Sequence, residues 1–228
     1  EFALALGTVA VADSDEYDDK GDPQGSYNAF LNTPVIDVSG VEAGAEALVL
    51  RFDSSWRPES SQTATITASF DNGDPIEVLR WESNSGSPLY HDHMTSELVT
   101  VPFERPAGAK ELVLTFGYFD ASNNWWWAID NVEVMGAPRA RAVALAEDFE
   151  GLDLGPNVEE GGAGSVPEAF THTPPAGWFV DRSGVPGYGD PDVDGVSEWA
   201  GWSFADKEFW VNTDRQRREE FDLGQGIV

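Results

Sequence analysis

No cysteine occurs among the 228 residues of this chain, which excludes disulfides and thiolate metal sites. Secreted bacterial proteins can lack disulfides, and bound calcium can then tie the fold together instead. Basic residues are scarce: 13 Lys and Arg stand against 41 Asp and Glu, a formal net charge of -28. A phosphate backbone or an anionic membrane surface calls for the opposite sign, which argues against nucleic acid as a partner. A compact fold with this charge repels itself unless cations neutralise part of it, as bound divalent ions or as a saline medium. The plainer reading of the same numbers is a solvated acidic surface. No apolar run reaches the roughly 18–20 residues of a membrane span, so no membrane span is expected. No signal peptide is visible either, so any export signal is expected to be missing from this sequence.

What is present is short-period alternation. Residues 47–52, 63–70, 75–81, 96–103, 111–119 and 125–134 alternate apolar and polar side chains between turn-forming residues. That spacing, without long helical periodicity, predicts an all-β sandwich or jelly roll. Asp71-Asn72-Gly73-Asp74 is expected to turn a hairpin, with Asn-Gly at the positive-φ positions. Residues 137–146 read as a linker, and residues 147–210 as Gly-, Pro- and Trp-rich ordered loops with short strands. Residues 206–220 are the one stretch expected to be helical.

The two ends of the sequence match. Residues 1–9 (EFALALGTV) and 220–228 (EFDLGQGIV) coincide at five of nine positions without gaps. A period of 219 residues, cut out of register from a tandem array, accounts for this; the plainer alternative is chance or a Glu-Phe cloning scar. If both copies derive from one strand of successive repeats, one slot has two candidates. The N-terminal copy, which continues through Ala10-Val11-Ala12, is the expected occupant. The other is expected to pair with a second chain or to lie disordered.

Two further motifs carry a resemblance. Trp127-Ala128-Ile129-Asp130-Asn131-Val132-Glu133-Val134 resembles the last strand of calcium-binding jelly-roll modules, and Glu147-Asp148-Phe149-Glu150-Gly151 resembles their first strand. That group includes bacterial carbohydrate-binding modules, cleaved-adhesin domains and MAM-like domains. The resemblance implies a jelly-roll β-sandwich of the concanavalin- or galactose-binding type, with the two motifs adjacent and donating oxygens to a structural calcium (Ca2+). Here the closing motif precedes the opening one, the order of a circular permutation. Residues 1–136 would be the back of the jelly roll and 147–228 its front, joined as one composite domain. The Gly- and Trp-rich middle does not align.

Asp130 with Asp148 and Glu150 is the first calcium candidate, since calcium takes six to eight hard oxygens. The second is the acidic run holding Asp13, Asp15, Asp18 and Asp19. Alternate residues of an extended segment share a face, so Asp13 and Asp15 can chelate together; otherwise the run is simply solvated. The third is Asp190, Asp192 and Asp194 before Gly195, with the 1-3-5 spacing of a calcium loop. Position 12 of that loop is Gly201 rather than Glu, leaving Glu198 as the substitute. His91 and His93 lack the further ligands of a zinc site. Trp125, Trp126 and Trp127 are consecutive, so on a strand at least one points away from the core. Trp125 and Trp126, with Asn123 and Asn124, are the candidate sugar platform; core packing is the bland alternative for each Trp.

No nucleophile elbow, phosphate loop, Ser/His/Asp order or His-Glu-x-x-His is present, so an enzyme is not expected. The expected function is a non-catalytic extracellular or cell-surface module for adhesion or glycan binding, its partner a polysaccharide or cell-surface glycan. Two alternatives remain open: a structural subunit joined to copies of itself through the terminal strands, and an accessory module of a secreted hydrolase.

Overall fold

In the computed structural model, which describes residues 2–20, 24–59, 61–136, 143–160 and 167–213, the alternating segments are strands. They are β4 (Gly44–Trp56), β5 (Thr63–Phe70), β6 (Ile76–Glu82), β7 (Met94–Arg105), β8 (Glu111–Ala121) and β9 (Trp126–Gly136). Before them come β1 (Thr8–Asp13), β2 (Tyr27–Asn32) and β3 (Ile36–Asp37). After them come β10 (Val143–Glu147), β11 (Gly155–Pro156), β12 (Glu168–Thr171), β13 (Phe179–Gly184) and β14 (Ser203–Asp206).

The strands make an all-β sandwich of two antiparallel sheets. Sheet A runs β11-β12-β14-β1-β9-β4-β7, with β10 also on β9; sheet B runs β13-β2-β8-β5-β6, with β3 also on β8. Strands from before and after residues 137–142 share both sheets: β14 lies against β1, and β13 against β2. Residues 143–146, read from sequence as the end of a linker, belong to β10, whose partner is the second half of β9.

Trp127 sits at the centre of the layer between the sheets. It is 0% exposed, packs on Phe52, Phe116, Trp81 and Trp202, and donates its ring N–H to Ser54 Oγ at 3.2 Å. The buried indole thus meets aromatic edges and satisfies its one polar atom. The β5–β6 hairpin turns one residue earlier than the Asn-Gly pair suggests. Gly73 N donates to Phe70 O, and the left-handed residues are Asp71 (φ 51) and Asn72 (φ 58). Asp71 tolerates this because its carboxylate accepts the amides of Lys110 and Glu111, which also hold its pKa below the usual range.

The acidic run after β1 is not extended. α1 (Ser14–Asp18) is a single helical turn capped by Asp13, which accepts Glu16 N. Residues 207–213 are helical, within the stretch expected to be so. The N-terminal copy of the duplicated segment is seated, running through residues 2–7 into β1 between β14 and β9. The C-terminal copy, 220–228, lies outside the described residues.

Trp127→Ala should cost about 3–5 kcal/mol, the usual range for emptying a buried aromatic site. Half-buried Trp125→Ala should cost less than half as much. Urea unfolding of both variants checks the ranking; equal losses would move the centre of the core away from Trp127.

Candidate functional site

The edge of β9 opposite β4 is divided. β1 pairs with its first half, Trp126 to Ile129, and β10 with its second half, Val132 to Met135. Asp130 and Asn131 fall in the gap, where the β4–β9 ladder shifts register between Arg51 and Asp53 and Asn131 turns left-handed (φ 51). Carboxylates take the place of missing ladder partners there. Asp130 Oδ2 accepts Leu6 N at 3.2 Å, Glu150 Oε1 accepts Thr8 N at 3.0 Å, and Asp130 Oδ1 accepts Asn131 N at 2.7 Å. Asn131 also donates to Asp53 Oδ2 across the ladder. Gly7 lies between those two amides at φ 55, and a Cβ there would collide with the Glu150 carboxylate.

Asp130 and Glu150 therefore converge on one short segment. Asp148 does not join them: its Oδ1 accepts the amide of Glu150, closing a local turn. Asp130 is 1% exposed. Burial, together with the like charges of Glu150 and Asp53, raises its carboxyl from 3.8 to about 7. Among the described residues no three His, Asp or Glu side chains form a metal-holding group. The donors that do meet, two carboxylates among main-chain groups, are hard oxygens of the type calcium takes together with carbonyls and water.

The other acidic candidates separate. Because α1 is helical, Asp13 and Asp15 do not share the face an extended segment would give them. Asp13 caps the turn and accepts Trp210 Nε1 at 2.9 Å; Asp15 is buried and Asp19 exposed. Asp18 takes a long bond from exposed Asn123. In the 190–195 loop, Asp190 folds back to accept Asp192 N, and both are exposed. Asp194 pairs with Lys20 at 2.7 Å, and the same ammonium holds Glu159 at 2.9 Å. Glu198 is fully buried, and its Oε1 accepts three successive amides, Val158, Glu159 and Glu160, at 2.5, 2.7 and 2.9 Å. The carboxylates that the spacing groups together are thus spread among a lysine, their own turn and a row of amides. His91 stacks on Trp81 at 4.0 Å and bonds Glu97, so it is not paired with His93.

The tryptophan platform is also displaced. Trp126 faces away from the sandwich, as alternation requires, yet is only 6% exposed. Trp210, from the helical residues 207–213, lies edge-on to it at 5.4 Å, and the ring N–H of Trp126 donates to Ser55 Oγ. The Arg57 guanidinium covers Trp125, 3.2 Å from the ring centre. Asn124 is 1% exposed and serves the loop, its Oδ1 accepting Ser122 N. Trp126 and Asn124 thus present almost no surface to a sugar, Trp126 because Trp210 lies over it and Asn124 because its own loop encloses it.

The outer face of sheet B carries the array that the sequence reading missed. Phe30 and Phe119 stack at 6.3 Å with planes 25° apart, and Arg80 lies 5.9 Å from the Phe119 ring centre. The register sets Asp181, Phe30, Gly117, Thr65 and Arg80 in one row across five strands. A Cβ at Gly117 would press on the Phe30 ring and Thr65 Oγ1, at 3.0 and 2.9 Å, so glycine lets the ring lie flat. In the next row Thr115 donates to Asn32 Oδ1 at 2.7 Å, with exposed Phe179 beyond. The signal available in sequence was the outward period-2 set of β2 and β8: Phe30 and Asn32, Thr115 and Phe119. No protein-family model matches the chain, and no curated protein matches it significantly.

In metal-free protein the folded state keeps a proton on Asp130 that the unfolded chain releases between about pH 4 and pH 7. The group's contribution to stability therefore falls as pH rises through that window. Asp130→Asn removes this fall, a slope difference of at most about 1.4 kcal/mol per pH unit. Urea melts in chelator at pH 5, 6 and 7 measure it; identical slopes for the two proteins would contradict the raised carboxyl.

Proposed function

We propose that this chain is a non-catalytic, calcium-stabilised jelly-roll module of the extracellular space that binds a glycan on the outer face of sheet B. The observation that carries the reading is the stacked Phe30–Phe119 pair, half-exposed and bordered by Asp181, Asn32, Thr115 and Arg80. Flat aromatic surface holds the apolar face of a sugar ring, and ringed polar groups take its hydroxyls. Asp181 is held ionised by the Ser183 amide and hydroxyl, which keep its pKa low, so it accepts hydrogen bonds from hydroxyls. The net charge of -28 favours neutral or cationic polysaccharides over sulfated ones.

Calcium enters this reading through the gap in β9. Asp130 and Glu150 would hold it, with main-chain oxygens completing the shell, and its charge would offset a buried carboxylate and two like-charged neighbours. The resemblance of the Ile-Asp-Asn-Val and Phe-Glu segments to calcium-binding jelly rolls points to the same two residues.

Two measurements test the two halves separately. Phe119→Ala should lower retention on the bound polysaccharide at least tenfold in affinity electrophoresis while shifting the melting temperature little. Unchanged retention would move the binding face elsewhere, and no binding to any of a broad polysaccharide set would end the glycan reading. Excess calcium should raise the melting temperature of the parent protein but not that of Asp130→Ala, since an ion bound only by the native state stabilises it by mass action. Superimposable melts with calcium and with chelator would remove calcium and leave the sugar face standing.

A further inference from the structure

The groove that seats residues 2–9 is selective at few positions. Its polar contacts go mostly to main chain: Leu4 N donates to Ser96 Oγ, Leu6 N to Asp130 and Thr8 N to Glu150. Gly7 O accepts Lys207 N, and Ala5 O accepts Lys207 Nζ, both at 2.7 Å. Any sequence can make these bonds. Side chains matter where they are enclosed: Phe2, Ala5, Thr8 and Val9 are buried, and Gly7 needs its positive φ. Ala3, Leu4 and Leu6 are exposed, Leu6 by 72%.

Residues 220–228 obey this pattern position by position. Phe221 stands where Phe2 is buried, Gly224 where small Ala5 is, Gly226 at the left-handed glycine and Val228 at Val9. The two polar replacements, Asp222 and Gln225, correspond to exposed Ala3 and Leu6. Ile227 keeps the β-branch of Thr8. The non-conservative, polar replacements fall where the groove leaves the side chain exposed, while the enclosed positions keep Phe and Val or take another small or β-branched residue.

We infer that residues 220–228 form a second key to this groove and that their partner is the groove of a second copy of this chain. One groove per copy and two keys per chain make a head-to-tail contact, the kind that closes into rings or continues as filaments. The seated N-terminal arm holds the groove by effective concentration, on the order of a millimolar for a short tether. Exchange therefore needs high protein concentration or a displaced arm. The inference does not depend on what sheet B binds.

The absence of cysteine permits a direct test in the 228-residue chain. Leu4→Cys with Ser96→Cys should close within one chain, confirming the geometry. Leu223→Cys with Ser96→Cys, concentrated and mildly oxidised, should give a ladder of reducible multimers. Adding Gly226→Val should abolish the ladder, because valine cannot take the left-handed conformation; adding Asp222→Ala should not. No cross-link, cross-linked monomer only, or a ladder that survives Gly226→Val each overturns the inference. Should the cysteine variants not fold, a synthetic 220–228 peptide is titrated into the unaltered protein. Amide NMR signals of Leu4, Leu6 and Thr8 should shift with it and not with the peptide bearing Val at the Gly226 position. No shift, or equal shifts with both peptides, overturns the inference in the same way.

Discussion

The arrangement around β9 rests on one constraint: a strand has two edges, and β9 gives one of them to two partners. β4 takes one edge along most of its length, while β1 and β10 divide the other. Two strand ends meeting in mid-sheet leave amides without ladder acceptors, and a buried unpaired amide is costly. Carboxylates are the short, strong acceptors that can be placed there. Asp130 comes from β9 itself and Glu150 from the chain just past β10. The junction solves a backbone problem by concentrating negative charge, and that is why one point serves at once as stitch, candidate cation site and pH-sensitive group.

The same exchange recurs elsewhere. Glu198 is inside the fold because three successive amides face its Oε1, and Asp71 holds a left-handed turn because two amides face it. With 41 acidic and 13 basic residues, ion pairing cannot neutralise the interior, and main-chain N–H groups do much of that work. Basic side chains go to places that amides cannot reach. Arg105 gathers the carbonyls of Val38 and Ala109, Arg57 covers Trp125, and Lys20 bridges Glu159 and Asp194.

This explains which parts were legible in sequence. Strands are written by local alternation, and β4 to β9 were readable within a few residues. The Ile-Asp-Asn-Val and Phe-Glu segments led to Asp130 and Glu150, although Asp148 turned out to serve its own turn. The acidic run was read as extended because a single helical turn has too few residues to show a period; only the Asp13 cap betrays it. The 190–195 loop shows carboxylate spacing without showing that Lys20, some 170 residues away, takes Asp194. Alternation requires one of the consecutive tryptophans to face outward without saying which; it is Trp126, and what covers it is Trp210, a sequence distance that no local pattern spans. The Phe30–Phe119 pair was missed for the converse reason. Each residue looked like an ordinary strand position, and only the register of β2 on β8 makes them a surface.

The two faces of the sandwich consequently have different work available to them. Sheet A is covered outside β1 and β9 by residues 207–213, and its arm, residues 2–7, reaches across β9 toward Ser96 on β7. At that end the chain's own segments cover the sheet, while the outward residues of β4 and β7, among them Arg51, Leu98 and Thr100, stay exposed. Sheet B carries half-exposed aromatic and amide side chains on β2 and β8, with the Arg80 guanidinium on β6, set by register rather than by loops. Rigid strands hold such an array at low entropic cost, which favours a repeating ligand whose units fall on successive rows. Rows in an antiparallel sheet recur about every 7 Å along each strand on the same face. A linear polymer lying along β2 and β8 would meet Phe30, Asn32 and Thr115 in order, while one lying across the strands would run from Asp181 to Arg80. The aromatic pair sits where the two directions intersect, so on the proposed glycan reading replacing either ring would weaken both orientations, whereas Asn32 and Arg80 would separate the two.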